Sequence, residues 1–362
     1  MTQDEYLVWL CLKTAPELTP KLCLELLKHY PDPTEYVGKP GHPAYHSGLI
    51  PPGSKEHLEQ QILPYNLPEI LQLMKHYQIE CLNIHEYPGR LRDIYLPPLI
   101  LYIRGDKECL FKNKNLAVVG TRKASSYGRE MCRKLLSPVC RQKVNIVSGL
   151  AAGIDTFAHK IALDEGSTTV AVLAGGLDTI YPTQNLELSK KIIANGALVS
   201  EYEPGCKSEK WNFPARNRII SALAEIIFVV EGPITSGALL TAKNALQQSR
   251  DVCALPGNIT SVNSSGPNHL IKNGAALISD AEDLLSMLGM TPEKEKQTEL
   301  PGILSPDEQR IYDLLQKKAT CLSFDEILIT TGFPIGKLST ILTNLELKGI
   351  IAKEGGTGFF AL

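Results

Sequence analysis

LAVVGTRKASSYGREMCRKLLSPVCRQ, residues 116–142, runs from an apolar strand through a glycine turn into a helical stretch. The same order recurs down the chain. Strand candidates are LAVVG (116–120), VNIVS (144–148), TTVAVLAG (168–175), ALVS (197–200), EIIFVVEG (225–232), DVCALPG (251–257) and AALI (275–278). Helical stretches such as DTFAHKIALDEG, QNLELSKKIIANG and GALLTAKNALQQS separate them. A strand covered on one face alternates apolar and polar residues; these runs are nearly continuous, so both faces are covered. Strands of this kind alternating with helices predict an α/β fold, a Rossmann-like, doubly wound, mostly parallel sheet.

Five small-residue turns punctuate this region: VVGTR (118–122), SGLAAGID (148–155), AGGLDTIYP (174–182), FPARNR (213–218) and EGPITSGALLT (231–241). Turns at one edge of a parallel sheet aim their free backbone N–H groups the same way, and helix N-termini there favour anions. The array fits phosphates, several in a row. In the first turn Gly120 permits close backbone approach and Arg122 offers a guanidinium fork. The stretch is not G-x-G-x-x-G and carries no ribose-binding acid, which argues against a nicotinamide cofactor. In the second turn Asp155 and His159 stand four apart on one helix face. They read as an acid/base pair or, preferably, as a helix-internal contact that fixes the turn. In the third, Gly175 and Gly176 precede Asp178, a loop cap in preference to a sugar ligand. In the fourth, Arg216, Asn217 and Arg218 open a helix, where positive charge opposes the dipole. That placement points either to an anionic partner or to an internal carboxylate such as Glu201 or Glu203. In the fifth, Ser236 and Gly237 precede an Ala/Leu-rich helix. No catalytic acid, base or nucleophile set accompanies the turns, so no catalytic residue is assigned.

The chain has 362 residues, with 43% hydrophobic and 21% charged, room for two or three globular domains. No apolar run approaches the roughly 18–20 residues that span a bilayer. The acidic start, MTQDEYLVWLCLK, is unlike an export signal, and the nine cysteines show no C-x-x-C spacing. Both features predict a cytoplasmic protein with buried thiols, without zinc, another metal or a disulfide framework. Net charge is −2 but unevenly spread. Residues 1–107 hold 10 Lys+Arg against 13 Asp+Glu, residues 108–288 hold 19 against 16, and residues 289–362 hold 8 against 10. Polyanion binding is therefore expected in the middle segment, through local placement of charge.

Residues 1–105 read as an N-terminal helical domain with a Pro-punctuated lead-in, and 106–288 as the Rossmann-like domain. GMTPEKEKQTELPGIL (289–304) reads as a linker. Residues 305–362 give a Ser-capped helix, a helix–turn–helix pair around TGFP and two short strands, the order of a winged helix.

Taken together, the blocks VVGTR, VSGLAAGIDTFAHKIAL, AGGLDTIYP, SEYEPG, FPARNRIISALA, TSGALLTAKNAL, RDVCALPGNI and GPNHLIKNGAALI resemble the DNA-processing protein A (DprA, or Smf) family. The resemblance covers roughly residues 80–280 closely. It implies a non-enzymatic protein without cofactor that binds single-stranded DNA without sequence preference and loads the RecA recombinase onto it, as in natural transformation. It places nucleic-acid contacts on Gly120, Thr121 and Arg122, on Ser148, Gly149 and Gly153, on Gly176, on Asn217 and Arg218, and on Ser236 and Gly237. A DNA-contacting lysine is implied after the Y-P-x-x-N stretch; here LELSKK puts Glu187 near that place and Lys190 and Lys191 a turn later, so the role either passes to Lys190 or is lost. A homodimer contact is implied at Ile271 and Leu277. The N-terminal unit resembles a SAM or helix-hairpin-helix module with TAPELTP in place of its glycine hairpin. The winged helix, with 6 basic and 7 acidic residues over 301–362, reads as a protein-contact or regulatory unit in preference to a DNA-binding one. The rival from another class is a nucleotide phosphoribohydrolase of the lysine-decarboxylase-like group. Its P-G-G-x-G-T-x-x-E signature finds only PITSGALLTA here, without the catalytic glutamate.

Overall fold

The computed structural model describes residues 1–112, 114–291, 304–317, 321–354 and 358–361. Of the linker expected at 289–304, residues 292–303 lie outside the described residues. The chain divides into two compact units, Met1–Thr291 and Pro292–Leu362.

Nine strands form the sheet of the first unit: β1 (Glu80–Asn83), β2 (Ile100–Gly105), β3 (Asn115–Val119), β4 (Asn145–Ser148), β5 (Thr169–Val172), β6 (Ala197–Ser200), β7 (Ile226–Val229), β8 (Asp251–Ala254) and β9 (Ala276–Leu277). They lie in the order β1-β2-β6-β5-β4-β3-β7-β8-β9. From β6 to β9 all pairings are parallel, for example Val118 opposite Phe228; β1–β2 and β2–β6 are antiparallel. The Pro-punctuated passage before residue 106 thus supplies β2, which pairs Tyr102 with Ser200 in the same sheet. Four helices precede β1, α1 (Gln3–Thr14), α2 (Pro20–His29), α3 (Pro52–Glu59) and α4 (Leu67–Tyr77); α5 (Gly89–Arg92) links β1 to β2, and from β3 onward helices alternate with the strands: α6 (Ser126–Arg141), α7 (Ile154–Asp164), α8 (Leu186–Asn195), α9 (Asn212–Ala222), α10 (Gly237–Gln247), α11 (Ser265–Lys272) and α12 (Ala281–Met287).

The period of two along each strand sends successive side chains to opposite faces. Leu116 and Val118 of β3 and Ile226 and Phe228 of β7 pack with Leu135 and Val139 of α6, Ile161 of α7 and Leu284 of α12. Ala117, Val119, Ile227 and Val229 pack on the other face with Ile192 of α8, Ile219 of α9 and Ala242 of α10. This face also carries Tyr6, Leu10 and Leu12 of α1, so the N-terminal helices share its core. Each such Val, Leu or Ile contributes about 1.5–3 kcal/mol by leaving water. A polar clasp adds to it: Lys13 donates to the Glu203 carboxylate (2.6 Å) and the Glu201 carbonyl (2.8 Å).

The second unit has α13 (Pro306–Lys317), β10 (Leu322–Ser323), α14 (Phe324–Thr331), α15 (Ile335–Leu347), β11 (Ile351–Glu354) and β12 (Gly358–Ala361). Its antiparallel sheet runs β10-β12-β11. Ser305 caps α13 reciprocally with Glu308. Gly332, at φ +67°, makes the turn between α14 and α15. Ile311, Leu315, Ile327, Leu338 and Leu342 fill the core, as a winged helix requires. Three of its basic residues are paired internally: Lys337 with Asp307 (2.6 Å), Lys348 with Glu308 (2.7 Å) and Lys353 with Glu346 (3.2 Å).

Candidate nucleic-acid interface

The chain winds outward from β3 through β4 and β5 to β6, then returns to β7 on the other side of β3. Ligand crevices in open α/β sheets form at such a reversal, outside the carboxyl ends of the strands. The turns after β3 and β7 flank it. The Thr121 N–H donates to the Glu231 carbonyl (2.7 Å) and joins them. Gly120 has no room for a side chain: a Cβ would lie 2.5 Å from Ile154 Cγ1 and 2.9 Å from the Glu231 carbonyl oxygen. The buried Glu231 carboxylate accepts from Ser125 N–H (2.9 Å) and Ser125 Oγ (2.5 Å), fixing the far end of the loop. Arg122 and Lys123 are left exposed at the rim.

The second turn props up the first from below. Gly153 sits at φ +82°, and a Cβ there would run into the Thr121 carbonyl oxygen and lie 2.7 Å from the Arg122 carbonyl carbon. Asp155 accepts from the N–H groups of Gly149 (3.1 Å) and Ala151 (3.3 Å), so it fixes the turn. It does so without His159. That ring is buried against Thr169, whose hydroxyl gives its proton to Ile146 (2.8 Å), so His159 Nδ1 donates to Thr169 Oγ1 (2.7 Å). Burial drives the His159 pKa down to about 3, with the Arg216 charge acting the same way. Burial raises the Asp155 carboxyl, opposed by Arg216 and the two N–H groups. Ser148 is fully buried and donates to the Val118 carbonyl (2.6 Å). Gly176 is buried, with its N–H on the Cys206 carbonyl (2.8 Å). Asp178 caps that loop by accepting from the Gly205 N–H (2.7 Å).

Arg216, Asn217 and Arg218, expected to open a helix, lie inside α9, which begins at Asn212, so they do not stand against its N-terminal dipole, and the three diverge. Arg216, 4% exposed, turns inward and donates to the carbonyls of Gly149 (2.8 Å) and Val172, and burial lowers its pKa to about 10. Its main partners are therefore main-chain carbonyls, neither an external anion nor Glu201 or Glu203. Arg218 pairs with Glu201 (2.5 Å). Asn217 Nδ2 donates to the Gly237 carbonyl (3.3 Å) and ties α9 to the start of α10. At that start Ser236 makes no side-chain cap, Gly237 is exposed, and the first turn carries no acidic residue. Lys190 is exposed on α8 and pairs with Glu187 (2.7 Å). The structure thus gathers Gly120, Thr121, Arg122, Asn217, Ser236 and Gly237 around the crevice and sets Ser148, Gly149 and Gly153 beneath it, while Gly176 packs against the 203–206 segment. Ile271 and Leu277 lie elsewhere, on α11 and on the edge strand β9; Leu277 is 49% exposed.

Beside Arg122 is a feature that the glycine pattern did not disclose. The Arg122 guanidinium lies 5.2 Å from the centroid of Phe213, and Phe213 meets Tyr181 edge-on at 5.8 Å. Lys207 and Lys210 are exposed on the segment leading into α9. KWNFPARNR (210–218) carried that signal, two aromatics interleaved with basic residues, the composition of a stacking platform.

The family model described as DNA recombination-mediator protein A matches residues 78–289, and that of the DprA winged helix domain matches residues 295–357. The chain belongs to the DprA family. DNA processing protein DprA of Bacillus subtilis is 40% identical over 66% of this chain and 80% of its own length. Protein Smf of Synechocystis is 36% identical over 75% of this chain and 77% of its own length. Among solved structures, DprA from Streptococcus pneumoniae superposes with a TM-score of 0.67 at 34% identity, covering 78% of this chain and 95% of that one. DNA processing protein A from Helicobacter pylori, whose structure was solved for its single-stranded DNA binding mode, gives 0.55 at 30% identity, covering 59% and 96%. Among the described residues no helix of this DprA-family chain is long and apolar enough to cross a membrane.

Proposed function

We propose that this chain binds single-stranded DNA across the carboxyl rim of its sheet, without sequence preference and without chemical turnover. The observation that carries the reading is Arg122 held over Phe213 beside the Gly120–Thr121 turn. A guanidinium so placed meets a phosphate while the ring beneath restricts its motion. Exposed Lys123, Lys207 and Lys210 extend the positive rim, and Lys190 adds a contact weakened by its pairing with Glu187. Sequence tolerance is expected because backbone charge and ring faces are common to every nucleotide. Support for a binder over a hydrolase comes from Asp155 and Glu231, two carboxylates beneath the first turns. Both are buried and occupied with backbone N–H groups or Ser125.

The family's description as a recombination mediator supports loading of RecA onto the bound strand in the cytoplasm. The half-exposed edge residue Leu277, with Ile271 nearby in sequence, supports a homodimer. The test is a salt titration of binding to single-stranded, duplex and mononucleotide ligands, repeated with RecA present. The single strand should bind best, with affinity falling linearly in log salt. Arg122→Ala should weaken it about tenfold or more, and added protein should shorten the lag of RecA assembly. Unchanged affinity in Arg122→Ala would falsify the site, and an unchanged lag would remove the RecA role.

A further inference from the structure

The chain has two tryptophans, and the fold treats them oppositely: Trp9 is 3% exposed in the core, whereas Trp211 is 72% exposed. An indole is amphipathic and costly to leave in water, so its setting needs a reason. The setting is rigid. Asn212, the next residue, is buried and donates through Nδ2 to the carbonyls of Ala174 (3.0 Å) and Lys207 (3.4 Å), while its N–H donates to Glu209 (3.0 Å). Trp211 therefore projects from a pinned turn at the start of α9, the helix that also carries Phe213 under Arg122. Exposed Lys207 and Lys210 precede it in sequence. Charge complementarity thus names the occupant, a polyanion that also has flat apolar faces to offer.

We propose that the Trp211 indole is a stacking platform for an unpaired base of the strand whose phosphate Arg122 holds. The inference rests on the single-strand reading of the rim and adds a division of labour to it. Arg122 engages what every polyphosphate chain carries, whereas Trp211 engages only an accessible base face. In a duplex those faces are covered by neighbouring pairs, so Trp211 favours single strands over double ones.

The experiment compares an oligothymidylate with an abasic deoxyribose-phosphate chain of the same length, using the full chain and its Trp211→Ala, Trp211→Phe and Arg122→Ala variants. Indole emission reports directly, because Trp9 is shielded in the core. In the full chain oligothymidylate should quench Trp211 emission and the abasic chain should not. Trp211→Ala should lose about tenfold in affinity for oligothymidylate and nothing for the abasic chain; Trp211→Phe should recover most of that loss. Arg122→Ala should weaken both ligands. Equal affinities of Trp211→Ala and the full chain for oligothymidylate, with Arg122→Ala still impaired, overturn the stacking role alone. Failure of the full chain to bind either ligand overturns the single-strand reading and the stacking role together.

Discussion

Arg122 and Arg216 illustrate how far apart two arginines of one site can lie in function. Arg216 is locked between the Gly149 and Val172 carbonyls inside the protein, and a Cβ on Gly149 would collide with its guanidinium. Arg216→Met should cost about 3 kcal/mol, because two buried carbonyls lose a charged donor and Asp155 loses its compensating charge. Urea unfolding measures this, and Arg122→Ala, which removes an exposed side chain, should shift the midpoint negligibly. His159 gives a pH signature. Its folded pKa, about 3, is below the unfolded value near 6.5, so the unfolded chain binds more protons between those limits. The stability that neutral His159 represents is complete above pH 6.5 and drains as pH falls, by at most about 1.4 kcal/mol per unit. Asp155, raised by burial, has the opposite sign and offsets part of this at the acid end. Thermal unfolding should thus show a smaller loss between pH 7 and pH 5 in His159→Gln than in the parent chain. An equal loss in the two proteins would assign the acid sensitivity elsewhere.

At the scale of elements, the site is a stack of turns in which one is the foundation of the next. The β4–α7 turn carries the β3 turn on Gly153, whose backbone at φ +82° and ψ −129° is open only to glycine. Gly153→Ala should destabilise the chain by about 1–3 kcal/mol and also displace Thr121 and Arg122. Single-strand affinity measured below the unfolding transition should therefore fall even though residue 153 does not face the rim. Retained affinity with lowered stability would mean that the first turn holds its shape alone. The strand–turn–helix succession was legible because continuous apolar runs between glycine turns have few other solutions. β2 was less so, since ILYIRG follows Pro97 and Pro98 and its strand character depends on pairing with β6. The roles within FPARNR were not legible either, because α9 begins before Arg216 and its rotation alone decides which arginine turns inward.

On the scale of the whole molecule, the edge strand β9 leaves Leu277 half exposed at the end of a nine-stranded sheet. Sheet edges and exposed apolar groups are where copies of a chain meet. On the proposed homodimer, Leu277→Glu should halve the mass found by light scattering while leaving thermal stability of the monomer nearly unchanged; a mass unaffected by the substitution would overturn this edge as the contact. The sequence by itself determined the alternation of strand and helix, the winged helix and the glycines, because these follow from local periodicity and backbone sterics. Only the tertiary structure decided that Gly149, Gly153 and Ser148 support the rim from beneath, that Arg216 is internal, and that Arg122 rests on Phe213. The physical reason is distance along the chain. Arg122 and Phe213 come from different strand–helix crossovers, and no local pattern records which side chains meet when the sheet closes.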